Sequence, residues 1–520
     1  MLHSYLQRGA LRHEHNGPVT NTPLTFGTAG LRGPMRAGLD AMNVTTVSRA
    51  TWAVAKVLKD RCLGSSTVVV GRDARHHSDE FATATAEILA AEGFSIVLLP
   101  YPAPTPVVAY AVRRLNAAAG VQITASHNPP ADNGYKVYFD GGIQIVPPTD
   151  RDIETAMRQA PSDIARQPVT PTDETLIEQY ARQAGSLRRT EGDVRVALTP
   201  MHGVGGALAV DVLHRAGITD IHTVATQFTP DPDFPTVAFP NPEEPGATDL
   251  LLTLAAETGA EVAIALDPDA DRCAVGIPAA HGWRLLSGNE TGWLLGDYLL
   301  SNLTPEEARK TVVASSLVSS QLLAAIAADH GAHHVETLTG FKWLARADQD
   351  IPGATLRYAY EEAIGHCVDP GAVRDKDGIS AAVVFCDLVV ALRNQGRTVQ
   401  DRLDALAAKY GVHLTGAVSV HTDADAVMAR LRAEPPTEIA GTAVRTADLA
   451  QLRGQRRTDA LIFTGEGLRV AVRPSGTEPK VKCYIEVSKP PTADGAANRT
   501  TAESELRDIE AAVTGLLAPV

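Results

Sequence analysis

The stretch TVVVGRDARHHSDEFATATAEILAAEGFSIVLLP, residues 67–100, holds the pattern that decides the fold. An apolar run rich in valine is followed by a segment with helical periodicity and then by a second apolar run. This order is the βαβ signature of a mostly parallel sheet with helices on its faces. Residues 117–130, AAAGVQITASHNPP, add a third strand that ends in a polar loop. Together these residues predict one complete α/β unit.

The same order recurs twice further along the chain. The second copy starts at residue 194 with VRVALTP and closes with AEVAIALDPDADR. The third copy starts at residue 310 with KTVVASS and closes with ATLRYAYEEAIGH. Three repeats of one strand and helix order predict three similar mixed-sheet α/β domains.

After Tyr410 the pattern changes to that of a smaller α+β domain. Residues 461–488, LIFTGEGLRVAVRPSGTEPKVKCYIEVS, predict an antiparallel meander that turns at TGEG. The Pro, Gly and Thr content of the following segment predicts a mobile loop over 489–503, before a last helix over 503–517. The predicted domains are residues 1–190, 191–305, 306–411 and 412–520.

Length and composition narrow the class of protein. A chain of 520 residues is too long for one hydrophobic core, and 44% apolar with 21% charged residues is typical of a globular protein. A net charge of −14 argues against a nucleic-acid partner. No signal-peptide pattern and no apolar run of membrane-spanning length is present, so we expect a cytoplasmic protein. The five cysteines form neither a disulfide nor a zinc pattern, and we expect them to be buried and reduced.

Three polar loops, TASHNPP, DPDADR and EEAIGH, follow the third strand of their respective copies. Open α/β sheets bind ligands beyond the carboxyl ends of their strands. If the copies face one another, the three loops converge on one central cleft. The alternative is that they are ordinary turns.

The loop DPDADR supplies three alternating carboxylates, Asp267, Asp269 and Asp271, which suit Mg²⁺. An EF-hand is excluded because Arg272 stands where that loop needs glycine and Pro278 where it needs glutamate. A solvated acidic turn is the alternative. Arg272 beside the carboxylates suggests that an anion also binds here.

Ser126 in TASHNPP would expose a hydroxyl at the mouth of its sheet. The esterase pattern G-x-S-x-G is absent, but a serine beside Mg²⁺ can carry a phosphoryl group. Residues 473–480, RPSGTEPK, combine a guanidinium, hydroxyls and a glycine, which are the parts of a phosphate cradle, although a plain capping turn would use the same residues. Residues 27–33, GTAGLRG, are a weaker glycine-rich match that contains Arg32.

With these motifs in this order, the chain resembles the α-D-phosphohexomutase superfamily over essentially its whole length. The resemblance implies a phosphoserine domain, a metal-binding domain, a sugar-binding domain and a C-terminal phosphate-binding domain around a central cleft. It implies an intramolecular phosphotransferase that interconverts a sugar 1-phosphate and 6-phosphate, with Mg²⁺ as cofactor and hexose 1,6-bisphosphate as intermediate and activator. A monomer or a dimer is compatible with it.

The resemblance also implies roles for individual residues. The catalytic residues would be Ser126, Arg32, Lys136 and Arg272. The metal ligands would be Ser126, Asp267, Asp269 and Asp271. The substrate contacts would be His127, Thr339, Glu361, Glu362, His366, Lys376, Arg473, Ser475, Gly476 and Thr477.

One departure leaves the sugar open. The superfamily's sugar loop commonly reads G-E-x-S-G, whereas this chain has no serine there: alignment on Glu361 places Ala363 at that position, and alignment on Gly365 places Ile364 there. The variant resembles the branch that includes phosphopentomutases. We expect a mutase of glucose or mannose phosphate, with a phosphopentomutase as the alternative. A sugar phosphatase or an inactive phosphosugar-binding protein would use the same residues.

Overall fold

The computed structural model describes residues 23–27, 30–139, 141–454, 457–475, 480–492 and 495–518. The first part of the chain forms a six-stranded mixed sheet flanked by helices. The strands are β1 (Leu31–Pro34), β2 (Thr67–Arg72), β3 (Ser95–Leu98), β4 (Ala119–Ile123), β5 (Asp132–Phe139) and β6 (Ile143–Gln144), and the helices are α1 (Val44–Asp60), α2 (Ser78–Ala91), α3 (Thr105–Arg114) and α4 (Thr149–Gln159). The sheet order is β1-β5-β4-β2-β3, with β6 on β5.

The second part forms a five-stranded sheet of order β11-β10-β9-β7-β8. Its elements are α5 (Thr175–Gly185), β7 (Val196–Thr199), α6 (Gly205–Arg215), β8 (Ile221–Thr223), α7 (Ala225–Phe228), α8 (Asp249–Thr258), β9 (Val262–Leu266), β10 (Cys273–Ala279) and β11 (Gly282–Leu285).

The third part forms a four-stranded sheet of order β13-β12-β14-β15. Its elements are α9 (Gly288–Ser301), α10 (Pro305–Arg309), β12 (Thr311–Ser316), α11 (Leu322–His330), β13 (His333–Thr337), α12 (Phe341–Leu344), β14 (Thr355–Glu361), β15 (Gly365–Cys367), α13 (Gly378–Arg393) and α14 (Val399–Tyr410).

These three sheets share one topology. In each, the first strand of the βαβ unit lies between the second and the third, and all three are parallel. A fourth strand then runs antiparallel beside the third: β5 beside β4, β10 beside β9, and β15 beside β14. The predicted α/β fold with three similar mixed sheets is therefore confirmed.

The last part forms an antiparallel five-stranded sheet of order β16-β22-β21-β20-β19 and a separate two-stranded pair. Its elements are β16 (Val412–His421), α15 (Ala424–Ala433), β17 (Glu438–Ile439), β18 (Thr442–Ala443), β19 (Arg445–Asp448), β20 (Leu461–Gly465), β21 (Leu468–Pro474), β22 (Lys480–Lys489) and α16 (Gly495–Leu517). The predicted meander is present, and Gly467 takes a φ of +66° in its turn.

Two local predictions are wrong. Helix α16 begins at Gly495, within the predicted loop, because Ala502 and the apolar residues that follow it pack into the C-terminal core. Packing against the sheet thus overrides the weak helix propensity of the Thr- and Asn-containing segment. Cys62 is exposed in a left-handed turn after α1, whereas the other four cysteines are buried.

A hydrophobic core runs through the first three parts of the chain without interruption, from Val69 to Leu406. Helix α13 lies inside it and packs on α5, α6 and α9. Its apolar sequence, VVFCDLVV, faces protein on all sides, as expected of a helix without a polar face. This shared core fixes the three sheets relative to one another, and the predicted domain boundaries remain predictions. Among the described residues, no helix is both long and apolar enough to cross a bilayer.

Candidate active site

The loops after the third strands meet around one cleft. Each loop contains a non-glycine residue with positive φ: Ser126 (+55°) after β4, Ala270 (+53°) after β9 and Ile364 (+52°) after β14. Such a conformation costs a non-glycine residue about 1–2 kcal/mol. The repeated turn points the polar side chains of all three loops toward the same space, a cavity of about 810 Å³. The convergence expected from the repeat is thus present.

Ser126 is 1% exposed and lies against the second domain. Its Oγ donates a hydrogen bond of 2.8 Å to Oδ2 of Asp267. Its backbone N–H donates to Thr124 Oγ1 at 2.9 Å, which holds the turn. Nδ1 of His127 lies 3.2 Å from Ser126 Oγ. Burial, followed by the positive charges of Arg272 and Arg32, holds the pKa of His127 well below its usual range, so the imidazole is neutral.

Arg75 holds the Ser126 loop from behind. Its buried guanidinium donates to the backbone carbonyls of Ser126 (2.8 Å), Pro129 (2.8 Å), Asp132 (3.2 Å) and Asn128. Four carbonyls of one loop therefore share a single cation. Because a guanidinium has several donors in a fixed plane, this contact sets the position of the serine.

The three predicted aspartates lie in the loop between β9 and β10 and are buried. Their ligand oxygens lie within 4.8 Å of one another. Lys136 Nζ contacts Oδ2 of Asp269 at 2.6 Å and Oδ2 of Asp271 at 2.7 Å, and Lys376 Nζ lies 3.1 Å from the latter atom. Burial alone would lower the pKa of Lys136, but the two carboxylates outweigh it and raise this pKa, so the ammonium stays protonated.

These residues fit a divalent cation. Oδ1 of Asp269 and Oδ1 of Asp271 are buried without a hydrogen-bond partner in the described structure. Burial and the like charges of Asp269 and Asp271 raise the pKa of Asp267 well above its usual value, because three carboxylates concentrate negative charge in one buried place, and a bound cation would relieve that repulsion. An all-oxygen donor set with this charge suits Mg²⁺.

Arg32 and Arg272 bring positive charge to the cleft. Arg32 lies in strand β1 rather than in the glycine-rich loop, opposite Gly134 of β5. A Cβ at residue 134 would come within 2.4 Å of the carbonyl oxygen of Thr124 and 3.1 Å of Arg32 Cγ, so only glycine fits there. Nη1 of Arg272 donates to the carbonyl of Ala363 at 3.2 Å, which joins the second domain to the sugar loop.

The two glutamates of the sugar loop have different surroundings. Oε2 of Glu362 accepts hydrogen bonds from Ser316 Oγ at 2.9 Å and Ser319 Oγ at 3.2 Å. Burial raises the pKa of Glu361, while the charges of Lys376 and Arg272 lower it. Both glutamates line the cleft.

The structure also shows which residue stands at the missing serine position. Ala363 lines the cleft, whereas Ile364 is buried in a small apolar cluster of the second domain. The alignment on Glu361 therefore describes the geometry of the loop, and Ala363 presents a methyl group to the cleft instead of a hydroxyl.

Arg473 and Ser475 reach the cleft from the C-terminal domain. Nη2 of Arg473 donates to the hydroxyl of Tyr484 at 3.2 Å, and the guanidinium lies 5.6 Å from the centre of that ring. Gly476 and Thr477, the remaining residues predicted for the phosphate cradle, lie outside the described residues. Thr339 Oγ1 is buried without a hydrogen-bond partner in the described structure, at the cleft wall.

The cleft collects most of the predicted site residues. Its walls include Arg32, Ser126, His127, Asp271, Arg272, Thr339, Glu361, Glu362, Lys376, Arg473 and Ser475. Lys136, Asp267 and Asp269 lie directly behind this wall, in contact with Ser126 or Asp271 or with each other.

His366 is not brought into the cleft, so a direct substrate contact through its ring does not agree with the structure. Its side chain is fully buried and packs beside the rings of both Tyr358 and Tyr360, with ring centres 6.5 Å and 6.3 Å away. Burial lowers its pKa to about 3. The cause is strand register: His366 pairs with Tyr360 in the β14–β15 ladder and points into the domain.

Sequence reasoning missed several residues at the cleft: Asn241, Glu243, Lys482 and Tyr484. Asn241 and Glu243 belong to a long irregular loop before α8. Such a loop has no apolar periodicity from which burial could be predicted. The cleft walls partly remove water from Glu243 and raise its pKa to about 7, against the opposing effect of Arg272. Arg75 was also missed, although its motif, GRDAR, directly follows the first strand of its copy.

Family models match all four parts of the chain. The phosphoglucomutase/phosphomannomutase α/β/α domains I, II and III match residues 23–163, 176–279 and 287–410, and the C-terminal domain matches residues 424–502. Fold and comparisons together define the class as phosphosugar mutase, an intramolecular phosphotransferase. The chain belongs to the phosphoglucomutase/phosphomannomutase family, which confirms the resemblance to the α-D-phosphohexomutase superfamily.

Individual relatives agree with this assignment. A protein of Haemophilus influenzae described as a probable phosphomannomutase is 43% identical over 478 residues, which cover 89% of this chain and 96% of that protein. The phosphopentomutase of Pongo abelii is 34% identical over 546 residues, which cover 94% of this chain and 88% of that protein. The solved open form of pp63/parafusin, a phosphoglucomutase of Paramecium, has a TM-score of 0.72 at 18% identity, covering 94% of this chain and 96% of that one, and shares the fold.

Proposed function

We propose that this protein interconverts hexose 1-phosphate and hexose 6-phosphate, of glucose, mannose or both, through a phosphoryl group carried on Ser126. One observation carries the proposal. The hydroxyl of Ser126 contacts an aspartate of a metal-competent cluster, at a cleft lined by cations from all four domains: Arg32, Arg272, Lys376 and Arg473. A serine and Mg²⁺ among fixed cations are the parts that phosphoryl transfer requires.

The first transfer would exchange one phosphate ester for another. The bond between phosphorus and Ser126 Oγ breaks, and a bond forms between phosphorus and the free hydroxyl oxygen of the bound sugar phosphate. The hydroxyl proton ends on Ser126 Oγ, so atoms and charge balance. Two groups lie close enough to Oγ to pass this proton: Oδ2 of Asp267 at 2.8 Å and Nδ1 of the neutral His127 imidazole at 3.2 Å.

The second transfer would run in reverse on the other phosphate. The bisphosphate turns over in the cleft, and its second phosphoryl group returns to Ser126. Arg473 and Ser475 would hold the phosphate that is not being transferred in both orientations. Closure of the C-terminal domain over the cleft would keep water from the phosphoserine, as a mutase needs.

The cation and the lysines would have separate tasks. Ser126, Asp267, Asp269 and Asp271 would hold Mg²⁺, which would supply positive charge at the transferring group. Lys136 contacts the Oδ2 atoms of Asp269 and Asp271 and thereby orients the Oδ1 atoms of these two carboxylates. Because Lys136 is protonated, it would act as a proton donor rather than as a base in the proton transfer predicted for it.

A pentose phosphate is the second candidate substrate, and one feature favours it. Ala363 leaves the sugar loop without the serine hydroxyl that the superfamily commonly has there, so the side chain at residue 363 offers no hydrogen bond to a ring hydroxyl. A phosphopentomutase is also among the relatives. The hexose proposal rests on the higher identity to the protein described as a phosphomannomutase.

Side-by-side kinetics would test the proposal. Glucose, mannose and ribose 1-phosphates are supplied separately with Mg²⁺ and a catalytic amount of glucose 1,6-bisphosphate, and both the isomer and inorganic phosphate are measured. We expect isomer formation from a hexose phosphate with the highest kcat/KM and little phosphate release. A higher kcat/KM for ribose 1-phosphate would support the second candidate, and phosphate release without an isomer would replace both with a phosphatase.

A further inference from the structure

We propose that Glu243 is a specificity-determining residue of this cleft, whose carboxylate binds a ring hydroxyl of the sugar beside Ala363. The inference rests on the proposed sugar-phosphate substrate and names a residue that would recognise one of its hydroxyl groups. Neither the motifs nor the family resemblance drew attention to this residue.

The loop that carries Glu243 is held in place. Oδ1 of Asn241, which is nearly buried, accepts the backbone N–H of Glu243 at 3.2 Å. The backbone N–H of Glu244 donates to the carbonyl of Asn241 at 3.0 Å, and that of Ala247 to the carbonyl of Glu244 at 3.1 Å. These bonds form consecutive turns, so Glu243 is presented to the cleft by a folded segment.

Arg272 places Glu243 next to the site of the missing serine. The same nitrogen, Nη1 of Arg272, donates to the carbonyl of Ala363 at 3.2 Å and lies 3.6 Å from Oε2 of Glu243. The carboxylate and Ala363 are therefore neighbours on one wall. A sugar hydroxyl that a serine at residue 363 would have bound meets a methyl group there, with a carboxylate beside it.

The carboxylates of the cleft suit hydroxyl groups. Glu243, Glu361 and Glu362 line it together with Arg272 and Lys376, and carboxylate oxygens accept hydrogen bonds from hydroxyls, whereas the cations attract phosphate. Glu362 already accepts from two serines. Among the described residues, no hydrogen bond reaches the carboxylate of Glu243, and 3.6 Å to Arg272 is longer than a hydrogen bond, so its oxygens are available.

A purely electrostatic role is the competing explanation. Glu243 could do no more than hold Arg272 in place, in which case its loss would weaken every sugar phosphate equally. A hydroxyl contact would instead weaken only substrates that carry that hydroxyl. Deoxy analogues of the substrate separate the two cases.

The experiment measures kcat/KM and Kd for glucose 1-phosphate and its 2-, 3- and 4-deoxy analogues. The proteins are the wild type, Glu243→Ala, Glu243→Gln and, as a matched control, Glu244→Ala, which removes an exposed carboxylate from the same loop outside the cleft lining. We expect the wild type to bind one deoxy analogue about tenfold to a hundredfold more weakly than glucose 1-phosphate. Glu243→Ala should lose that difference, Glu243→Gln should retain part of it, and the control should match the wild type.

Three results would count against the inference. An equal loss for all analogues in Glu243→Ala would overturn it in favour of the role on Arg272. Unchanged discrimination in Glu243→Ala, with isomer still formed, would overturn it while leaving the proposed function intact. If the wild type formed no isomer from any sugar phosphate, the proposed function would fail and the inference with it.

Discussion

Ser126 combines three features that isolated surface serines lack: burial, a left-handed backbone and a carboxylate acceptor at 2.8 Å. The strained turn aims Oγ at the aspartate cluster, where a phosphoryl group would meet the cation and the arginines. At the scale of single residues, this geometry would separate the group proposed to carry phosphate from the groups proposed to hold the substrate.

We therefore predict that Ser126→Ala lowers turnover by at least about a thousandfold while Kd for the sugar phosphate changes little. The variant removes the phosphoryl carrier, and the cradle around Arg473 stays intact. Turnover, calorimetric binding and intact mass measure this, since part of the wild-type protein should carry one phosphoryl group that the variant lacks. Ser186→Ala, at an exposed helix end, is the control. Near wild-type turnover in Ser126→Ala would reject the role.

Arg473 provides a second test at this scale. Its guanidinium is fixed by the hydroxyl and ring of Tyr484, which favours bidentate contact with phosphate. Arg473→Lys keeps the charge but loses the planar fork, so kcat/KM should fall about tenfold to a hundredfold. In the proposed mechanism one cradle serves both orientations, which predicts an equal loss when the reaction is started from either isomer. A loss in one direction only would show that the two orientations do not share Arg473, and exposed Arg445→Lys on β19 is the control.

At the scale of elements, the loop between β4 and β5 depends on Arg75. Arg75→Lys leaves one ammonium for four carbonyls, so the loop should shift and misplace Ser126. A misplacement of about 1 Å can cost about a hundredfold in rate. We expect kcat to fall at least tenfold with a smaller change in KM, because most of the cleft residues lie on other loops and only His127 would move together with Ser126.

Separate kcat and KM values and a thermal melt check this prediction. Arg72→Lys, three residues earlier on β2, is the control because, in the part of the chain that the structure describes, its guanidinium donates to the carbonyl of Asp73 and not to the Ser126 loop. A parallel rise in KM would mean that Arg75 acts through the whole cleft rather than through the serine.

The elements also show what a single sequence can reveal. The repeated βαβ pattern predicted the three sheets and the loops at their ends because β-branched runs and helical periodicity are local signals. The sequence predicts the start of helix α16 too late, because the first turns of this helix are stabilised by packing on the sheet. This packing shows in the burial of Ala502, which a single sequence does not reveal. Glu243 could not be found, since the role proposed for it depends on Arg272 and Ala363, which are distant in sequence and close in the fold.

At the scale of the whole molecule, the charge cluster is assembled from three domains. Ser126 and Lys136 come from the first, the aspartates from the second and Lys376 from the third. The C-terminal domain is joined to the third through Glu486, which accepts from Ser320 Oγ and the backbone N–H of Gln321. Ligands of this cluster should therefore stabilise the arrangement of domains as well as the site.

Mg²⁺ should accordingly raise the melting temperature of the wild type. The variant Asp267→Asn tests the effect of charge, because it removes one negative charge from the cluster and keeps the size of the side chain. Asp267 makes no ion pair among the described residues, yet lies among buried carboxylates. Asparagine keeps its size and one acceptor oxygen, so without metal the variant should melt at a higher temperature than the wild type. A Mg²⁺ concentration of about 100 times Kd adds about 2.7 kcal/mol to the free energy of unfolding of the wild type. The variant should lose most of this gain together with its turnover.

Thermal melts of both proteins with EDTA and with Mg²⁺ measure the two effects in one experiment. Asp163→Asn, on an exposed segment, should respond to Mg²⁺ as the wild type does. A metal-free Asp267→Asn protein that melts below the wild type would mean that the contacts of Asp267 with Ser126 Oγ and the Arg272 N–H outweigh the repulsion. A wild type whose melting temperature and turnover ignore Mg²⁺ would show that the aspartate cluster is not a metal site.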